Sequence, residues 1–194
     1  MAQQQNLVES VKNGIVATIR GTGEIVNAVT DTVSGTLVNA FKGTSAVGTA
    51  VTSSVAEVAR GVVQGTSQVG GDLGGAAKGA MVGVLRGTRE IGGETMTTVS
   101  EGARSVVKST GEVGGDVVLA AKRAVEGAIQ GARDIGVDAS EAASAAANGA
   151  IKGAGEISKT AVDQVTQAVT GVIDGVKVVA SEPFRPTQGK RQDA

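Results

Sequence analysis

Chemistry at a protein surface needs groups that titrate, ligate or attack, and this 194-residue chain offers few: it contains no His and no Cys. That removes the usual proton shuttle at neutral pH, the thiol nucleophile and the nitrogen and sulfur donors of a transition-metal site. What remains is 18 basic and 19 acidic residues. Many acids follow a base by four residues, as in Arg20 with Glu24, Arg86 with Glu90, Lys108 with Glu112 and Lys152 with Glu156. On a helix such pairs are neighbours that contribute about 0.2–0.5 kcal/mol each; they do not converge as the carboxylates of general acid–base catalysis must. A second acidic set, Asp72, Glu94, Asp116 and Asp138, recurs at another register, so that bases lean to one side of a polar arc and acids to the other. The stretch GGDLGGAAKGA at 70–80 invites a phosphate-loop reading, but it lacks GxxxxGK[ST] and no predicted strand precedes it. The expectation is a protein that is not an enzyme, with no cofactor, no metal and no small-molecule substrate. Balanced charge without interleaved aromatics also argues against nucleic acid as a partner.

Those charges are placed by a repeat. RGTGEI at 20–25 returns as KGTSAV at 42, QGTSQV at 64, RGTREI at 86, KSTGEV at 108, QGARDI at 130, KGAGEI at 152 and, decayed, DGVKVV at 174. The spacing is 22 residues each time, which marks one structural unit copied in register. Residues 1–19 form a partial first copy and 20–180 the tandem array. Both prolines of the chain fall in 181–194, where the pattern stops and a disordered tail is expected.

Within the unit the apolar places follow helical steps of three and four. The sixth holds Ile25, Val47, Val69, Ile91, Val113, Ile135 and Ile157; the last holds Phe41, Val63, Leu85, Val107, Ile129, Ile151 and Ile173. Between them the tenth, fourteenth, eighteenth and twenty-first are mostly Val or Ala. Twenty-two residues are two blocks of 11, and 11 residues close about three helical turns, so the stripe keeps its azimuth. The expected fold class is all-α: a long amphipathic helix, or a few long helices, packed in a bundle or helical assembly. Because apolar pairs such as Val62-Val63 and Val84-Leu85 keep phase across the glycines, a continuous helix is favoured. Breaks are expected first at the paired glycines 70-71, 74-75, 92-93 and 114-115, where propensity is poorest. An up-down stack of 22-residue helices is the alternative.

Glycine, 30 of 194 residues, is phased too. Gly61 and Gly65, Gly83 and Gly87, Gly127 and Gly131, Gly149 and Gly153, and Gly171 and Gly175 all make GxxxG, and Gly71, Gly75, Gly79, Gly83 and Gly87 form a ladder. Each interior Gly costs a helix about 1 kcal/mol relative to Ala, so these are expected to be helix-packing positions where a second backbone comes close. With 2 Phe and no Trp or Tyr, little core volume comes from aromatic rings, and a partner surface or further copies of the chain are expected. The start, MAQQQNLVESVKNG, lacks the basic and apolar regions of a secretory signal, and the longest uncharged stretch, 43–56, falls short of a membrane span of about 20 residues. A cytoplasmic location is expected.

Segments such as GTGEIVNAVTDTVSGTLVNAF at 21–41 and AVDQVTQAVTGVIDGVKVV at 161–179, amphipathic in 11-residue blocks and rich in Val, Thr, Gly and Ala, resemble the lipid-surface repeats of perilipins and, more loosely, of synucleins. The resemblance implies a peripheral coat on a lipid droplet, granule or membrane surface. Balanced charge and the GxxxG ladder depart from it and favour a structural protein that self-assembles through its Val/Ile/Ala stripe and glycine flank into a homo-oligomer, bundle or filament. A desiccation- or stress-protective protein is a further alternative of related pattern.

Overall fold

The computed structural model describes residues 2–22, 24–42 and 49–180. Among these the chain is all-α apart from one terminal hairpin. The order is α1 (Ala2–Thr22), α2 (Ile25–Phe41), α3 (Thr49–Gln68), α4 (Leu73–Glu90), α5 (Thr95–Glu112), α6 (Val117–Ile135), α7 (Ala139–Gly155), α8 (Lys159–Val169), β1 (Gly171–Ile173) and β2 (Val176–Val178). The favoured continuous helix is thereby corrected to a bundle of short helices, about one per 22-residue unit, which is the up-down stack. Val47 and the tail at 181–194 lie outside the described residues.

The helix runs through the RGTRE of residues 86–90, keeping the phase of the apolar pairs, and stops one residue later. Ile91 ends α4, and Gly92 then takes φ 71°. A side chain there would meet the following carbonyl, so glycine is the residue that closes the turn at least strain. The Gly92 N–H donates to the Arg89 carbonyl at 3.2 Å and the Gly93 N–H to the Thr88 carbonyl at 2.9 Å, satisfying two of the helix's last acceptors. Gly70, Gly114 and Gly136 repeat this geometry with φ between 66° and 73°. Gly74 and Gly75, by contrast, sit inside the first turn of α4 and break nothing.

The next residue but one starts the following helix. Asp72, Asp116 and Asp138 each accept a hydrogen bond from a first-turn N–H, at 2.8–2.9 Å. These recurring acids are helix N-caps, a correction to their reading as one flank of a charged arc. Glu94, one methylene longer, makes no such side-chain bond.

Alternate helices lie side by side in parallel: residues 79, 83 and 87 of α4 pass Val26, Thr30 and Leu37 of α2 in the same order. The helix between two parallel neighbours must run back, so consecutive helices are antiparallel. Two rows result, α1-α3-α5-α7 and α2-α4-α6-α8, facing each other across the core. Every fourteenth-place residue (from Val33 and Val55 to Val165) and every eighteenth-place residue (from Leu37 and Ala59 to Val169) is buried. The core has two parts. One gathers α1–α3 with half of α4, and the other gathers α5–α8 and the hairpin with Met81 and Leu85 of α4.

The last copy departs from the helical repeat. Asp174 and Gly175, with φ 48° and 77°, form the two-residue turn between β1 and β2, whose register pairs Gly171 with Val178 and Ile173 with Val176. Positive φ at both central residues is the requirement of a type I′ turn, and Asp-Gly meets it. The expected array of helices up to residue 180 therefore ends at Val169.

Candidate functional site

The candidate site is the repeated joint between helix n and helix n+2. A Cβ built on Gly61 of α3 would lie 2.8 Å from the Val8 carbonyl oxygen of α1, and one on Gly65 would lie 2.9 Å from that of Lys12. One on Gly83 of α4 would be 2.7 Å from the Thr30 oxygen of α2; Gly79 and Gly87 face Val26 and Leu37 on the same helix. Gly127 and Gly131 of α6 approach Lys78 and the Val82–Leu85 segment of α4, while Gly149 and Gly153 of α7 sit on the Ser100 and Arg104 carbonyls of α5. At Gly87 and Gly131 the leucines Leu37 and Leu85 fill the space, but at most of these places backbone meets backbone because the glycines interpose no side chain. The Thr30 hydroxyl adds a bond across one of them, to the Gly79 carbonyl at 3.1 Å.

Four of the phased glycines do other work. Gly71 belongs to the turn before α4, beneath the Thr66 methyl, and Gly75 lies against the Asp72 carboxylate that caps its own helix. Gly171 and Gly175 are in the β-hairpin and pack no helix.

The last-position stripe residues Val63, Leu85, Val107 and Ile129 are fully buried; Ile151 and, within β1, Ile173 are nearly so. Phe41 packs half-buried against the N-terminal core. The sixth-position residues instead flank the turns. Ile25, Ile91 and Val113 cover the N-terminal core and Ile135 the C-terminal one. Val69 is half-buried, and Ile157, 40% exposed, lies over Gly111.

Charges tie the same joints from outside. Arg86 of α4 reaches Asp134 of α6 at 2.7 Å, and Lys108 of α5 reaches Glu156, at the end of α7, at 2.6 Å. Both pairs span 48 residues, so base and acid meet across helix n and n+2. This corrects the expected i, i+4 pairing: complementary flanks do meet, but inside one chain. Arg104 also donates to Glu156 at 2.5 Å and to Glu101 at 3.1 Å. Hydrogen bonds from Lys108 and Arg104 hold the Glu156 carboxyl below its usual range, and the bond to Glu156 raises Arg104.

The outer side of the odd row carries two shallow clefts. One of about 300 Å³, between α3 and α5, is lined by Thr52, Ser53, Ala56, Glu57, Arg60 and Glu101. The other, about 460 Å³ between α5 and α7, includes Ser100, Arg104, Asn148 and Lys152. Partial burial pushes the Glu57 carboxyl up, against the pull of Arg60.

Among the described residues no group of three or more carboxylates is placed to hold a metal ion. Nor is any described helix long and apolar enough to cross a membrane. Sequence reasoning missed one feature of the joints. At the places of Gly61/Gly65 and Gly83/Gly87, α5 carries Ser105 and Ser109, an interruption visible only when the units are aligned. No protein-family model matches this sequence, and no curated protein is similar to it at a significant level.

Proposed function

We propose that the chain is a non-enzymatic structural protein in which the apolar stripe and glycine flank assemble the molecule on itself, as a closed stack of helices. The observation that carries this reading is the recurrence of one joint, backbone against backbone, between helix n and helix n+2. A 22-residue period devoted to stacking leaves few positions for catalysis, and the lack of His and Cys agrees with that.

The ends support a finite stack rather than a filament. The glycines with which α4 closes on α2 are Gly79, Gly83 and Gly87; 44 residues before the first two, α2, the first helix of its row, carries Gly35 and Asn39, with Asn27 and Asp31 on the same face. Asn27, Asp31 and Asn39 are exposed, the polar outer face expected of a terminal repeat. At the other end the hairpin covers α7, with the Ser140 hydroxyl donating to the Lys177 carbonyl and the Val179 N–H to the Ser144 hydroxyl oxygen.

The second reading is the lipid coat. It draws on the smallness of the buried residues: with Ala and Val at most stripe positions, each helix gives up little burial on swinging apart, and the freed stripe would face lipid. Circular dichroism and ultracentrifugation over a concentration series, with and without neutral vesicles and oil droplets, test both. The closed stack predicts full helicity in a monomer at every concentration and no flotation. Helicity that rises with oligomer size would replace it with open assembly, and co-flotation at high salt would replace it with the coat.

A further inference from the structure

We infer that the α3–α5 joint is a hinge, about which the N-terminal and C-terminal cores move while the α2-α4-α6 row holds as a spine. The inference goes beyond the proposed stacking role and rests on three observations.

The first is the interruption of the glycine register. The helices α3, α4, α6 and α7 bring Gly at both clamp places to the helix two before them. Only α5 brings Ser at both, Ser105 and Ser109, with Glu101 one turn ahead. These serines hold the repeat places at which Gly149 and Gly153 stand opposite Ser100 and Arg104 in the next joint. A Cβ on Gly61 or Gly83 would overlap a carbonyl of the facing helix, at 2.7–2.8 Å. Two serines therefore forbid the close approach that the glycines allow.

The second is the cleft of about 300 Å³ at this joint, whose lining includes Ala56, Arg60 and Glu101. A cleft of about 460 Å³ also lies over the α5–α7 joint, so what distinguishes the α3–α5 one is that no pair of clamp glycines lies beneath it. Glu57, at its lip, loses hydration there, and its carboxyl is raised accordingly; opening restores that hydration.

The third is the division of the core at the same place. Helix α3 supplies Val55, Val58 and Val62 to the N-terminal core, whereas α5 supplies Val99, Ala103 and Val107 to the C-terminal one and only Val106 to the other. The even row has no such fault: α4 contributes to both cores and is gripped by glycine contacts on both sides, from its own Gly79 and Gly83 against α2 and from Gly127 and Gly131 of α6.

The chain's lack of Cys makes the test direct. Spin labels on Ser53→Cys and Glu141→Cys span α3 to α7 across the joint; labels on Asp31→Cys and Lys122→Cys span α2 to α6 along the spine. All four positions are exposed. Electron–electron distance distributions should be broader for the odd-row pair. Adding Ser105→Gly with Ser109→Gly to the odd-row pair should narrow it and shorten its mean, because the helices can then close. Ser105→Ala with Ser109→Ala, which keeps the Cβ atoms but removes the hydroxyls, should leave it broad and serves also if the glycine pair impairs folding. Equal widths in the two rows, an odd-row width unmoved by the glycine pair in a folded protein, or narrowing by the alanine pair would each overturn the hinge.

Discussion

Replacing Gly83 and Gly35 by alanine, one at a time, should shift stability in opposite directions although the chemical change is identical. At Gly83 the new Cβ would stand 2.7 Å from both the Thr30 oxygen and the Val33 Cβ. Non-bonded atoms settle near 3.5 Å, so α4 must retreat from α2 by about 0.8 Å, and a gap of that size forfeits a quarter to a half of each dispersion contact it opens. Gly79 and Gly87, seated on the same helix, lose contact with it. Overpacking of this kind costs about 1–3 kcal/mol, while exchanging Gly for Ala inside a helix returns about 1 kcal/mol. The net expectation is a loss of about 1 kcal/mol. At Gly35, also inside a helix, an added Cβ meets nothing within 4 Å, so only the propensity gain of about 1 kcal/mol remains. The two variants should differ by about 2 kcal/mol. In a chain of this size each kcal/mol corresponds to about 2–4 °C in Tm, so the pair should straddle the parent in thermal and urea melts followed at 222 nm. If Gly83→Ala raises stability as much as Gly35→Ala does, the glycines are not contact residues and the account of the joints is wrong.

Other perturbations read the turns, caps and ion pairs. Gly92→Ala, at φ 71°, should lose about 1–2 kcal/mol in the same melts; an unchanged midpoint would mean that the left-handed turn is not needed. Asp138→Ala, which removes an acceptor of two first-turn N–H groups, should cost about 1 kcal/mol, and Glu94→Ala, which removes none, should be near neutral by comparison. Glu156→Gln should cost about 0.5–1 kcal/mol at low salt, the network being partly exposed and screened. Because the folded Glu156 carboxyl sits below its ordinary 4.5, that contribution is complete above the unfolded value and is lost as pH falls through the folded one. Parent and variant melts should therefore converge in acid, and a difference that persists there would remove Glu156 from the network.

The repeat was legible because a helix stack copies itself: period, stripe and glycine phase all follow from one unit placed against the next. What the sequence left open was where each helix ends. Apolar phase carries straight through the RGTRE of residues 86–90, since those residues are helical, and the stop depends on a single backbone angle at Gly92. The signal was nonetheless present as Gly-Gly-Asp and Gly-Gly-Glu at 70–72, 92–94 and 114–116, a left-handed glycine followed two residues on by an acid at the N-cap place, whose side chain caps where it is Asp. Ile173-Asp174-Gly175-Val176 was likewise a hairpin signature, hidden because it fell on the 22-residue period and so read as a decayed helix. Pairing of the charges could not be read from spacing alone: Arg86 has an acid at i+4 and another 48 residues on, and only the parallel packing of alternate helices brings Asp134 to it.

On the closed-stack reading proposed above, parallel packing of alternate helices also accounts for where the stack stops. A joint that recurs at every helix is heterologous, and heterologous contacts continue until a terminal surface refuses the next copy. On this reading the refusal at the N-terminal end comes from Asn27, Asp31 and Asn39, exposed on the face of α2 that a further helix would cover, so that helix would have to bury three polar side chains. At the C-terminal end the 22-residue period still supplies Gly171 and Gly175, but Asp174-Gly175 turns the chain into a hairpin that occupies the surface of α7. Glycine at the repeat position permits the closest approach without deciding where the stack runs: α5 packs on α3 with Ser105 and Ser109 at those places, and the glycines that let α4 close on α2 recur as Gly171 and Gly175 inside the hairpin.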